Sequence, residues 1–286
     1  MPPLVPSMPV GTIFTEEFFR NSLAAGFSLT RVFARQLPCL LLALAGTVAP
    51  TVAAAQDSTD IASAPPLAKP HAIKWWEVGA VVGGGLLTMA VVDGPVQDWS
   101  SNPDHGSQTA GDFASAFKYF GQWQVIAPVT GGILIAGLVT KKPGLVHSGL
   151  RVGASVLLAG VLTGVFKYSL GRVRPYDTND VWDYKPFSGN TSMWSGHTVL
   201  AFSFAASLAQ EIHRPWATIG LYTLATGTAW SRVYDNQHWV SDVAIGAVVG
   251  IASAKLATGR WTIFGLRAPV PLATPNGLGV MWHGTF

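Results

Sequence analysis

Three short polar clusters interrupt an otherwise apolar chain, and their residue types suit holding a phosphate group and attacking its phosphorus. The first runs Lys167-Tyr-Ser-Leu-Gly-Arg-Val-Arg174-Pro175, the second is Trp194-Ser195-Gly196-His197, and the third runs Ser231-Arg232-Val-Tyr-Asp-Asn-Gln-His238-Trp-Val-Ser-Asp242. His238 and Asp242 stand at i and i+4, so on a helix they share a face. A carboxylate there can accept the Nδ1 proton and leave Nε2 free as a nucleophile, the logic of a triad's base and its orienter. Phosphoryl transfer also needs fixed cations around the equatorial oxygens, and arginine supplies paired donors for them. Lys167, Arg174 and Arg232 are the candidates. Gly196 permits a close backbone approach and His197 opens a helix. The first N–H groups of a helix bind anions, so Ser195 and Gly196 are expected to hold phosphate oxygens. Each feature also has a plainer meaning by itself. Such a His–Asp pair can merely steady a helix, Ser-Gly can merely cap one, and Lys167 can simply snorkel from a helix end. Arg172 is an extra cation, with anchoring at a membrane surface as one reading.

Taken together, the clusters resemble the signature of the type 2 phosphatidic acid phosphatase family, which also contains bacterial acid phosphatases and vanadium haloperoxidases. The family pattern reads K-x6-R-P, then P-S-G-H, then S-R-x5-H-x3-D. Lys167, Arg174 and Pro175 fit the first part, Ser195, Gly196 and His197 the second, and Ser231, Arg232, His238 and Asp242 the third. Trp194 stands where the family has proline. The resemblance covers the helical region from Trp75 to Gly259. It implies that His238 attacks phosphorus and carries a phosphohistidine, with Asp242 orienting it. It implies that His197 protonates the leaving alkoxide and then activates water. Lys167, Arg174 and Arg232 resemble the family's phosphate ligands. No metal and no cofactor is implied; vanadate, a phosphate mimic, would act as an inhibitor or, in a haloperoxidase, as the cofactor.

Composition narrows the setting. Charged residues make up 12% of the 286-residue chain and hydrophobic residues 49%; ordinary soluble proteins carry roughly 25% charged residues. Such a chain is membrane-embedded or a very apolar helical bundle. The net charge of +3 comes with no basic stripe, so nucleic acid is not expected as a partner. Residues 1–55 read as a leader whose export signal occupies 29–55. Arg31 and Arg35 precede an apolar run from Leu37 to Val52, and Ala53-Ala54-Ala55 offers a cleavage site. An uncleaved anchor helix is the other reading. The lone cysteine, Cys39, falls inside this leader, so a processed chain would have no disulfide, thiol nucleophile or thiolate metal site.

Residues 56–73 read as a linker, 74–259 as the phosphatase-like domain, and 260–286 as a tail punctuated by Pro269-Val-Pro271 and Pro275-Asn-Gly277. Apolar helices rich in Gly and Ala are expected at about 76–92, 123–140, 149–170, 197–210, 215–231 and 240–257, with close packing between them. The stretch 93–122 carries Asp93, Asp98, Asp104, His105 and Asp112. Their spacing fits no metal loop, so it is read as a solvated acidic loop. His71, His105, His147, His213 and His283 are read as exposed loop residues. Trp99, Trp123, Trp182, Trp194 and Trp239 gather near the clusters, as an interfacial belt, a lipid-admitting groove or plain packing.

A six-span arrangement would put Lys69, Lys74, Lys141, Lys142, Arg151, Arg214, Lys255 and Arg260 on one side, as the positive-inside rule predicts, and all three clusters on the other. Two features oppose it. Several apolar runs are only about 13–17 residues, short of the ~20 a span needs, and a cleaved leader would invert the arrangement. The chain is therefore read as all-α, a six-helix bundle embedded in a membrane, with a short irregular or β-hairpin tail. The expected function is metal-independent hydrolysis of a phosphate monoester or diphosphate of a lipid or isoprenoid, of the phosphatidic acid type. The expected place is a bacterial-type cell envelope, at the inner membrane with the site facing the periplasm. A soluble, broad-specificity periplasmic acid phosphatase, a vanadium-dependent haloperoxidase and a non-catalytic membrane protein that binds anionic headgroups stay open as other readings.

Overall fold

The structure, a computed structural model, describes residues 70–263, 270–274 and 277–281. The leader, most of the linker, Lys69 and His283 lie outside the described residues. The helices are α1 (Trp75–Thr88), α2 (Gly94–Ser101), α3 (Gln108–Phe120), α4 (Trp123–Val139), α5 (Pro143–Leu170), α6 (Gly196–Ile212), α7 (Pro215–Tyr234) and α8 (Val240–Ala257). A π-helical turn, Met89–Asp93, joins α1 to α2. Strand β1 (His71–Ala72) pairs in parallel with β2 (Trp261–Thr262), and β3 (Val270–Thr274) pairs antiparallel with β4 (Gly277–Met281). The expected helices are all present, and the tail contains the hairpin.

The stretch 93–122 is not the loop expected from its aspartates. The π turn carries α1 on into α2, which has proline in its first turn, a position where the missing N–H costs nothing. Ser107 then caps α3 by accepting from Ala110 N at 3.2 Å. Aromatic residues on α3 do the packing: Phe117 meets Trp230 on α7 edge-on at 6.4 Å, and Phe120 meets Phe204 on α6 at 5.7 Å. These apolar contacts outweigh the acidic composition from which a loop was read.

Helix α6 is the centre of the bundle, with every residue from Thr198 to Ala209 except Leu200 buried. It packs against α5, α7 and α8. Its approach to α8 is close enough that a Cβ on Gly250 would collide with the Val199 carbonyl. Ile126, Val152, Phe202, Phe204, Leu208 and Leu221 form the main apolar cluster. Burying each such side chain contributes roughly 1.5–3 kcal/mol.

Large apolar side chains also cover much of the outside. Leu157, Val161 and Val165 follow one another at i+4 spacing along α5 and are 71%, 63% and 57% exposed. Ile135, Leu138 and Val139 on α4 are likewise exposed. Contiguous faces of this kind need an apolar surrounding. Trp75–Ser101, Pro143–Leu170 and Val240–Ala257 are long and apolar enough to cross a bilayer, and α3 with α4, bent by 43°, makes a fourth crossing if the pair is one span. Length and exposed surface together make this a membrane protein.

The two ends of the bundle differ. At one end β1 ties the start of α1 to the chain after α8, Arg151 on α5 pairs with Glu211 on α6 at 3.1 Å, and Lys255 lies over Trp261 at 4.8 Å. Lys141 and Lys142 in the α4–α5 turn and Arg214 between α6 and α7 fall at the same end. With Lys74 and Arg260 these are seven basic residues at one end, while Lys118, Lys167, Arg172, Arg174, Lys185 and Arg232 fall at the other. The opposite end gathers the last turns of α5 and α7 and the first turns of α6 and α8.

Candidate active site

Helix α5 stops at Gly171, whose φ of +59° and hydrogen bond to the Lys167 carbonyl (3.0 Å) make a left-handed cap. A Cβ at Gly171 would collide with the Lys185 carbonyl, so glycine is needed twice over. The loop 171–195 is stitched to itself and to its neighbours. Val173 N donates to Asp183 O, Lys185 N to Gly171 O and Ser192 N to Arg172 O, all within 3.0 Å. The indole of Trp239 donates to Val173 O at 2.9 Å. Ser195 caps α6: its Oγ accepts from Thr198 Oγ1 at 3.0 Å, and its N donates to Asp242 O at 3.2 Å. After α7 the chain turns back, with His238 N donating to the Arg232 carbonyl at 3.2 Å. The three sequence clusters thereby meet at one end of the bundle.

His238 and Asp242 form the centre. Nδ1 of His238 lies 3.6 Å from Oδ2 of Asp242, ion-pair range and slightly long for a hydrogen bond, and both side chains are buried. Such contacts commonly tighten once substrate is bound. Burial pushes the His238 imidazole down to about 3, against a smaller opposing pull from Asp242, so the ring is neutral at pH 7. The Asp242 carboxylate is held from several sides. Oδ1 accepts from Arg172 Nη1 at 2.7 Å, and Oδ2 accepts from Ser192 Oγ at 2.5 Å and from Trp239 N at 3.2 Å.

Lys167 and Arg174 lie within electrostatic reach of His238. Lys167 donates Nζ to the Thr191 carbonyl. Arg174 donates to Gln237 Oε1 at 2.9 Å and to Thr191 Oγ1 at 3.3 Å. Arg232 donates to Asp235 Oδ2 at 3.2 Å, while its buried Nε has no partner among the described residues. His197, in the first turn of α6, lies within electrostatic reach of Arg232, Lys167 and Arg174. Gly196 opens onto the lysine: a Cβ there would sit 3.7 Å from Lys167 Cε. Ser195 itself is fully buried and its hydroxyl is engaged in the cap. Arrayed around a neutral imidazole, these groups can hold a tetrahedral oxyanion and put its central atom in front of a nucleophile.

Several expectations are corrected. Arg172 is no surface anchor: its side chain is 0% exposed and ion-paired to both Asp242 (2.7 Å) and Asp93 (2.9 Å). Two carboxylates repay the cost of taking a guanidinium out of water, where an apolar anchor site offers none. Asp93 is likewise fully buried rather than solvated. His105 is half-buried, its ring 4.7 Å from that of Tyr234, because the turn before α3 folds over the end of α7. His147 lies half-buried within α5. His71 and His213 are exposed as expected. Trp194 packs on Phe166 at 4.6 Å, and Trp239 is buried beneath the Arg172 guanidinium, 5.0 Å away. Trp99, Trp123 and Trp182 are exposed. Sequence reasoning missed Thr191, Ser192, Gln237 and Ser241, all common polar loop residues; only their nearness to the motif positions hinted at them. An apolar groove of about 520 Å³ lies apart, between Phe117 and the Ile219–Trp230 face of α7, and none of the site residues line it.

Residues 148–262 match the model of the PAP2 superfamily. The lipid A 1-phosphatase of Porphyromonas gingivalis is 39% identical over 106 residues, which is 36% of this chain and 21% of that protein. The undecaprenyl-diphosphatase of Sulfolobus acidocaldarius is 29% identical over 132 residues, 46% of this chain and 61% of that protein. This chain therefore spans about a fifth of the first relative's length and three-fifths of the second's. The crystal structure of the first transmembrane PAP2 type phosphatidylglycerolphosphate phosphatase from Bacillus subtilis aligns at 20% identity over 64% of this chain and 95% of that one, with a TM-score of 0.46. The matched segment holds every motif position from Lys167 to Asp242, so the part of the chain that carries the site is similar to the PAP2 superfamily.

Proposed function

We propose that this protein is a metal-independent phosphatase acting on a phosphate monoester or diphosphate of a lipid or isoprenoid. The observation that carries the reading is a buried, neutral imidazole backed by a carboxylate at 3.6 Å and faced by Lys167, Arg174 and Arg232. A headgroup binder has no use for the first half of that arrangement. The lipid nature of the substrate is supported by the membrane setting and by relatives named for lipid A and undecaprenyl diphosphate.

Nε2 of His238 attacks phosphorus as the P–O bond to the lipid alkoxide breaks. The ring becomes cationic, with its Nδ1–H held by Asp242. His197 gives its proton to the departing alkoxide and next removes one from water. That water attacks the phosphohistidine, the P–N bond breaks, and phosphate leaves with His238 restored. Lys167, Arg174, Arg232 and the free N–H groups at the start of α6 balance the charge on the equatorial oxygens. Side-chain cations thus fill the place a metal takes in other phosphoryl-transfer sites. The site faces the periplasm in this reading, because the opposite end carries Lys74, Lys141, Lys142, Arg151, Arg214, Lys255 and Arg260, which have no part in the site, and such residues favour the cytoplasm.

The test is phosphate release by the purified protein in detergent with a chelator present, wild type beside His238→Ala. Phosphatidic acid, an isoprenyl diphosphate and a small soluble phosphate ester are the substrates. Release from the lipids that disappears in the variant is expected. Full activity in the variant, or preference for the soluble ester, would overturn the mechanism or the substrate class respectively.

A further inference from the structure

On the Asp242 side of His238 lies a sealed group of charges of which the hydrolytic scheme uses only Asp242. Arg172 reaches Asp242 through Nη1 and Asp93 through Nη2. Ser241 closes the circuit: its Oγ accepts from Arg172 at 2.7 Å and donates to Asp93 Oδ2 at 2.5 Å, while its N donates to Asp93 Oδ1 at 2.9 Å. The second face of Asp93 is thus fully satisfied. Arg172 also donates to Val181 O at 2.8 Å and is flanked by the rings of Trp239 (5.0 Å) and Tyr184 (5.5 Å). The Tyr184 hydroxyl donates to Met193 Sδ at 3.1 Å, and burial pushes that phenol up to about 12, so it stays neutral. Asp93, Arg172 and Asp242 are each 0–1% exposed.

An arginine with one carboxylate would make a neutral pair, and Asp242 would then have little charge left for His238. With Asp93 added, two carboxylates and one guanidinium leave a net charge of −1 on the Asp242 side of the imidazole. The cations that reach His238, Lys167 and Arg174, are matched by the substrate phosphate once it binds. The ring's own positive charge, which develops as Nε2 bonds to phosphorus, is balanced among the described residues by this group through Asp242. Charge interactions of this kind are strong where water is excluded.

We infer that Asp93 and Arg172 are positioning residues for the nucleophile: Arg172 fixes the Asp242 carboxylate, and Asp93 cancels the Arg172 charge so that the cluster stays anionic toward His238. The inference rests on the phosphohistidine reading above. Neither residue touches substrate, so the effect belongs in kcat rather than in KM.

The experiment is a charge cycle on the purified protein with a lipid phosphate. Asp93→Asn makes the cluster neutral and is expected to lower kcat about 30-fold with KM moved less than about threefold. Adding Arg172→Gln to Asp93→Asn restores the net −1 and is expected to regain about fivefold in kcat, although it removes a further ion pair. A kcat for Asp93→Asn within about twofold of wild type would overturn the inference, as would a loss confined to KM or a double variant weaker than the single. If Asp93→Asn does not fold, Asp93→Glu decides. Its thermal midpoint should fall while kcat stays within about threefold, and kcat falling in step with the midpoint would overturn the inference. Wild type and His238→Ala run alongside. An inactive wild type or an active His238→Ala overturns the phosphatase reading itself, whereas an active wild type with an unaffected Asp93→Asn overturns only the role given to Asp93.

Discussion

Arg172 and Arg174 are two residues apart in the chain and end in opposite circumstances. Arg174 is half-buried and, among the described residues, hydrogen-bonds the neutral groups Gln237 and Thr191 alone. Its charge is uncancelled and available to an anion. Arg172 is sealed between Asp93 and Asp242, and its charge is more than cancelled. The same side chain therefore serves as a ligand in one place and a girder in the other. What decides is the partner, a neutral amide or a pair of carboxylates, since an uncompensated guanidinium is tolerated only where water or a phosphate can reach it.

The largest effect expected from this contrast lies between them. His238→Ala should lower phosphate release by about 10⁴-fold or more, measured as kcat with a lipid phosphate. Arg172→Met comes next and acts on stability. It leaves Asp93 and Asp242 as unpaired buried carboxylates at a cost of about 3–5 kcal/mol, read as a collapse of the thermal midpoint in detergent. Arg174→Ala should do the reverse, leaving the midpoint nearly unchanged while raising KM by about 10- to 100-fold, and Arg174→Lys should recover only part because the paired donors are lost. A stability loss from Arg174→Ala equal to that from Arg172→Met would erase the distinction.

A smaller effect concerns pH. The folded His238 imidazole sits near 3, below its ordinary value of about 6.5. The unfolded chain therefore binds a proton first as pH falls. The stability gained by keeping this ring neutral is complete above about pH 6.5 and shrinks by about 1.4 kcal/mol per unit below it. Wild-type protein should lose thermal midpoint between pH 7 and 5 more steeply than His238→Asn does. Parallel slopes would contradict the burial assigned to His238.

Much of this was legible in the sequence. The i, i+4 spacing of His238 and Asp242, the cation run ending at Arg174 and the glycine before His197 all reflect local geometry, and local geometry is what a sequence displays. The basic residues at the end away from the site, such as Lys141, Lys142 and Arg214, were legible for the same reason, because they track helix ends. The charge cluster was not. Asp93 lies 79 positions from Arg172 and 148 from Ser241, and nothing beside it in the chain distinguishes it from the solvated Asp98 or Asp104. Arg172 looked like an anchor because it follows an apolar helix, and only the turn forced by Gly171 points it inward. The segment 93–122 misled in the same way: its polar caps were visible, but the packing of Phe117 and Phe120 was a tertiary fact.

The most direct test of the account is a search for the covalent intermediate. Wild-type protein mixed rapidly with a labelled lipid phosphate and quenched in base should carry label on the peptide containing His238. The label should appear at the rate of alkoxide release and be absent from His238→Ala. Phosphate release at the normal rate with no label on the protein, or with label on another residue, would contradict the assignment of His238 as the nucleophile.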